Sequence, residues 1–179
     1  MSTYSVYELY DYRKEGKLNL KDAIKCFNAI GKSPDEETVA SKQFQWLCKK
    51  LAGEAHNLTC KKISQIYHSI TKVAVVGHVP SILLNALHNR TVKSMKDFDS
   101  FGVVQVIYAH AKLSTQVTEP LRTKMIQFIV TKCSTFNGQD VANTLYSIRK
   151  KCLDPIDKPV RKCIIGLLTR CEHLSTSIK

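Results

Sequence analysis

The sequence lacks the local signatures of the common catalytic sites. It has no Gly-rich phosphate loop, no nucleophile elbow and no His-Glu-x-x-His run, the short motifs that cradle a phosphate, expose a serine or hold a zinc ion. The six histidines, at positions 56, 68, 78, 88, 110 and 173, are dispersed. The seven cysteines (Cys26, Cys48, Cys60, Cys133, Cys152, Cys163 and Cys171) are odd in number and form no Cys-x-x-Cys pair. That excludes the spacing of a structural zinc site and argues for a reducing compartment rather than a disulfide scaffold. Cys26, Cys163 and Cys171 fall in apolar helical runs, where a free thiol serves as a small hydrophobe. Apolar runs such as Val73–Val76 are far too short for a membrane span. The first residues, MSTYSVYELYDYRKEGK, read as neither a secretory signal nor an Arg-rich transit peptide. The expectation is a non-enzyme with no metal, no cofactor and no small-molecule substrate.

Acidic residues are also scarce. Asp and Glu total 15 against 27 Lys and Arg, a net charge of +12. The excess favours an anionic partner such as RNA, DNA, an acidic protein or an anionic membrane surface.

What the chain does have is a repeat. Four similar segments begin at Asp22, Lys62, Gly102 and Asp140: DAIKCFNAIGK, KISQIYHSITK, GVVQVIYAHAK and DVANTLYSIRK. Their starts lie 40, 40 and 38 residues apart, and each segment closes on a lysine. A fixed period in this range marks a helical-repeat array. Positions two, three, six and nine of the copies form the stripe of an amphipathic helix: Ala23, Ile24, Phe27 and Ile30 in the first, Ile63, Ser64, Tyr67 and Ile70 in the second. The third copy places Val103, Val104, Ile107 and His110 there, and the fourth Val141, Ala142, Leu145 and Ile148. The eighth position is always small (Ala29, Ser69, Ala109, Ser147), which lets a neighbouring helix approach.

A second helix should follow each first one. Pro80, Pro120 and Pro159 recur 40 and 39 residues apart and should start helices, because proline suits the first helical turn. In the first repeat the second helix should begin near Glu36 without proline and run through Phe44, Trp46 and Leu47. Tyr4, Tyr7, Tyr10 and Tyr12, in a short amphipathic stretch ended by Gly16, read as a capping helix over residues 1–17. The expected fold is therefore all-α: an α-solenoid of about four helical hairpins of 38–40 residues, with units near 18–57, 58–97, 98–135 and 136–174 of an array over 18–179.

The segments FDSFGVVQVIYAHAKL (Phe98–Leu113) and FNGQDVANTLYSIRKKCL (Phe136–Leu153) resemble the organellar octotricopeptide and heptatricopeptide repeats, found also in FAST-kinase-like and RAP proteins. The shared features are an aromatic or Leu, a polar stretch, and a helix ending in a small-x-x-Lys run. The resemblance covers most of residues 18–174 and implies a right-handed superhelix, a mitochondrial or chloroplast location, and work in RNA processing, translation or ribosome structure. Lys179 leaves no room for a RAP domain, which points to a component of a larger particle. Separately, Asp11 to Asp22 with AIKCFNAIGKSPDEE is similar to an EF-hand loop and its exit helix, with Gly16 at the turn and Leu18 at the apolar position. Arg13 stands where an acid is needed and Asp22 where a bidentate Glu is usual, so calcium binding is not expected.

Positions four, seven and eleven of each copy lie within about 60° of one another on a helix, opposite the apolar stripe. They read Lys25, Asn28 and Lys32; Gln65, His68 and Lys72; Gln105, Tyr108 and Lys112; Asn143, Tyr146 and Lys150. Amides can read base edges, aromatics can stack on bases and lysines can meet phosphates, so this stripe is the candidate RNA-binding surface. The same residue types also make an ordinary solvated helix face, and the two tyrosines could pack between repeats. A less ordered basic set includes Lys42, Lys49, Lys50, Lys61, Lys62, Arg122, Lys124, Lys132, Arg161, Lys162 and Arg170. The expected function is a non-catalytic RNA-associated scaffold, a small subunit of a mitochondrial ribosome or another mitochondrial ribonucleoprotein with neighbouring subunits as partners. The alternatives are a structural accessory subunit of a mitochondrial respiratory or ATP synthase assembly, which would bind protein instead of RNA, and a metal-free EF-hand-like adaptor.

Overall fold

The computed structural model describes residues 18–176. The expected capping helix over 1–17, and with it Arg13 and Gly16 of the EF-hand-like stretch, lies outside the described residues. The described residues form α-helices and short 3-10 turns, with no strand among them. In chain order the helices are α1 (Leu20–Lys32), α2 (Glu36–Ala40), α3 (Lys42–Gly53), α4 (Cys60–Val76), α5 (Ser81–Ser94), α6 (Ser100–Lys112), α7 (Leu121–Lys132), α8 (Gly138–Arg149) and α9 (Lys158–Thr176). They form two compact units, which divide between Lys93 and Ser94.

The four repeated segments are α1, α4, α6 and α8, and all four start in the same way. A buried apolar residue, Leu18, Leu58, Phe98 or Phe136, comes first. Next comes a cap, Asn19, Thr59, Asp99 or Asn137, whose side-chain oxygen accepts from the backbone N–H of Asp22 (3.0 Å), Lys62 (3.4 Å), Gly102 (2.7 Å) or Asp140 (2.9 Å). These four amides open the four sequence copies, so the sequence period is also a capping period. Each cap satisfies a donor that the helix itself leaves unpaired and contributes about 1 kcal/mol. In α8 the Asp140 carboxylate also accepts from the Asn137 amide at 3.2 Å, completing a capping box.

In the first unit α1 packs on α4 and on α3. Phe27 and Phe44 stack with ring centres 5.7 Å apart, both fully buried. The α1–α4 approach is close enough that a Cβ on Gly31 would lie 2.5 Å from the Cβ of Ser69. Ser69 spans the same seam by donating to Asn28 Oδ1 at 2.8 Å. Arg90 of α5 reaches back to the start of α4, its Nε donating to the Leu58 carbonyl at 3.1 Å. The expected continuous helix from Glu36 is instead broken at Ser41, which takes an extended conformation (φ −68°, ψ 152°). Ser41 closes α2 by donating from its hydroxyl to the Thr38 carbonyl and opens α3 by accepting from the Phe44 amide. One hydroxyl thus serves two helix ends, as serine does at caps. Trp46 lies half-buried on α3.

In the second unit α6 packs on α8, and α9 packs on both α7 and α8. Arg170 of α9 donates from Nε to the Phe136 carbonyl at 2.8 Å, the counterpart of the Arg90 bond, since Leu58 and Phe136 hold the same place before a cap. Arg122 ties the connection before α9 to α7. It donates to the carbonyls of Leu153 (3.1 Å) and Pro155 (2.7 Å) and to Asp157 Oδ2 (2.8 Å), with Glu119 at 3.4 Å. Asp157 in turn caps α9 by accepting from the Val160 amide at 3.1 Å. The three recurring prolines stand at helix starts as expected: Pro80 and Pro120 immediately precede α5 and α7, and Pro159 is the second residue of α9.

Gly31→Ala forces overlap at Ser69 and should destabilise the protein by about 1–3 kcal/mol, exceeding the ~1 kcal/mol that alanine gains in a helix. Urea denaturation measures this, and adding Ser69→Gly should restore part of the loss. For Asp157, the Arg122 guanidinium and then the Val160 amide hold the carboxyl below its usual range. A carboxyl depressed in the folded state adds stability above its unfolded pKa, about 3.9, and loses it as pH falls through the folded value. Asp157→Asn should therefore lower the melting temperature at neutral pH, and the gap to wild type should close as the buffer is taken below about pH 4.

Candidate nucleic-acid interface

The candidate stripe divides between the two units. In the first, Lys25, Lys32, His68 and Lys72 are exposed, while Asn28 and Gln65 are half-buried. Lys25 pairs with Asp22 at 3.3 Å, one turn earlier, and Lys62 donates to Gln65 at 3.3 Å. Asn28 is engaged by Ser69 within the helix seam. Lys32 and Lys72 have no carboxylate partner among the described residues. Asp22 accepts from both Asn19 and Lys25 in the first turn of α1, an ordinary use for a carboxylate at a helix start.

In the second unit the stripe is a cluster. Tyr108 on α6 and Tyr146 on α8 meet with ring centres 5.6 Å apart and planes tilted by 56°. Lys112 Nζ lies 5.3 Å from each ring centre, and Lys150 Nζ lies 5.8 Å from that of Tyr146. Both rings are half-buried and both lysines exposed. Interaction with the Tyr108 hydroxyl raises the Lys112 pKa. Ammonium over a ring face is an attractive electrostatic pairing. Asn143 is half-buried and accepts from Gln139 at 2.8 Å.

Three expectations need correction. Gln105 is not on a solvated face; it is 6% exposed. Its helix α6 carries apolar residues on nearly every side (Val103, Val104, Val106, Ile107, Ala109, Ala111), all buried, and a helix apolar all round is enclosed. The second copy does not end its helix at lysine, because α4 continues past Lys72 to Val76. And the buried stripe includes the fifth position, filled by Cys26, Ile66, Val106 and Thr144, each fully buried. Thr144 can sit there because its hydroxyl donates to the Asp140 carbonyl at 2.7 Å. The eleventh position holds throughout: Lys32, Lys72, Lys112 and Lys150 are all exposed. Lys32 and Lys112 close the last turns of their helices, where a cation also complements the helix dipole.

Among the described residues, no three His, Cys, Asp or Glu side chains come together as a metal ion would require. No described helix is long and apolar enough to cross a membrane. The cysteines are free. Burial pushes the thiols of Cys48 and Cys152 up to about 12 and that of Cys163 to about 11, which suppresses thiolate chemistry at neutral pH. Cys171, expected as a packing residue, is instead exposed near the end of α9.

Native-state alkylation at neutral pH should therefore modify Cys171 first, and leave Cys26, Cys48, Cys152 and Cys163 unmodified until denaturant is added. Peptide mass spectrometry of a time course checks the order. Comparison of the chain with protein-family models, with curated proteins and with solved structures gave no match.

Proposed function

We propose that this protein is a non-catalytic, RNA-associated scaffold built as an α-solenoid of about four hairpin repeats. In this reading it belongs with the octotricopeptide-like organellar repeat proteins and works as a small subunit of a mitochondrial ribosome or another mitochondrial ribonucleoprotein. The solenoid is supported by the shared capping and by packing within each unit, where first helices lie on first helices (α1 on α4, α6 on α8) and, in the second unit, second helix on second helix (α7 on α9). The observation that carries the RNA reading is the Tyr108–Tyr146 pair with Lys112 and Lys150 over it. The half-exposed aromatic pair can stack a base once the two amines over it swing to the flanking phosphates. The net charge of +12 adds long-range attraction for a polyanion. Lys32 and Lys72 supply the same column of amines in the first unit.

Binding of a short single-stranded RNA should weaken steeply with salt, because each neutralised phosphate releases counterions. Lys112→Glu with Lys150→Glu should lower affinity and reduce the log–log salt slope by roughly 0.7 per lysine. Tyr146→Leu should weaken binding at every salt concentration and leave the slope unchanged. Ultraviolet crosslinking in cells should place RNA on peptides containing residues 105–112 or 143–150. Salt-resistant copurification of protein subunits, with no crosslinked RNA, would overturn the proposal in favour of a structural accessory subunit.

A further inference from the structure

Between α7 and α9, on helices that do not carry the lysine–tyrosine cluster, lies an open groove of about 450 Å³. Its floor is apolar, with Ile126 and Val130 from α7 and the ring of Pro159 from α9. Its edge is basic, and the three cations there differ in availability. Arg122 is committed to Asp157, Glu119 and two carbonyls. Lys158 and Lys162 are exposed and have no carboxylate partner among the described residues. They are four residues apart, so both face the same side of α9, and three residues on, the same side presents Ile165, 65% exposed. From Lys158 to Ile165 this strip runs about 10 Å, the length of two helical turns.

An apolar trough with an unneutralised positive edge is complementary to an amphipathic helix that carries apolar anchors one turn apart and carboxylates beside them. Single-stranded RNA fits less well: no aromatic residue lines the groove to stack a base, and phosphates gain nothing from an apolar floor. A second copy of this chain is disfavoured by like charge, given 27 basic against 15 acidic residues. We propose that the α7–α9 groove docks an amphipathic helix of an acidic partner protein. This site is independent of the RNA-binding reading, and either can fail without the other.

The test uses the full chain and a labelled helical peptide with Leu one turn apart and Glu alongside, followed by fluorescence anisotropy. A matched peptide with Lys in place of Glu, a scrambled peptide and oligouridine serve as comparisons. The Glu peptide should bind, and Lys158→Glu with Lys162→Glu should cost about tenfold in affinity, as two exposed charge pairs are lost. The same double variant should improve binding of the Lys peptide. Val130→Asp should abolish Glu-peptide binding and leave oligouridine affinity unchanged; a melting curve shows whether that variant is folded, and the lysine pair, being exposed, tests the groove regardless. The proposal is overturned if the Glu peptide does not bind, if it binds no better than the scrambled one, or if the lysine reversals leave it unaffected. It is overturned equally if Val130→Asp weakens oligouridine instead, which would make the groove an RNA surface. A concentration-dependent wild-type dimer in sedimentation that Val130→Asp abolishes would overturn the proposal in favour of self-association.

Discussion

The first unit depends on how near α1 comes to α4. At Gly31 the backbones are so close that a single methyl group would collide with Ser69. That proximity lets the Ser69 hydroxyl reach Asn28. The second unit joins its two first helices by other means. At the seventh position of each copy, where α1 has an amide, α6 and α8 each have a tyrosine, and ring meets ring under a lysine amine. One repeat position thus makes a tight polar junction in one place and an aromatic one in another.

Much of this was legible in the sequence because it depends on local rules. The period, the four first helices, the proline starts and the small eighth position all follow from helix periodicity and from what proline and small side chains permit. Ser41 was missed because its break depends on one hydroxyl turning to two helix ends, a choice that apolar periodicity does not record. The fifth position is obscured in the fourth copy by Thr144, which does not read as apolar but satisfies its hydroxyl on its own helix. Gln105 was misplaced for the converse reason. Its polarity assigned it to water, whereas the apolar residues around α6 leave that helix little solvated face. The arginine bonds to the Leu58 and Phe136 carbonyls carry a faint signal, a recurrent arginine in the second helix, recognisable only once the caps are aligned.

Among the described residues, two groups of cations are used differently. Arg90, Arg122 and Arg170 each donate from Nε to a backbone carbonyl that lies outside the helices, at Leu58, Leu153 and Phe136. The lysines at the eleventh position of the copies, Lys32, Lys72, Lys112 and Lys150, are exposed. Guanidinium groups thus hold the connections, while exposed ammonium groups contribute to the surface field that other molecules meet.

The single tryptophan has a consequence for how the molecule can be observed. Trp46 lies on α3 in the first unit, and the second unit has none. Its indole emission therefore follows the environment of one unit, whereas circular dichroism sums the helices of both. If the two signals change at different denaturant concentrations, the chain unfolds in more than one step; coincident curves are what a single cooperative body gives. The sequence has thus placed a natural spectroscopic label on one half of the protein.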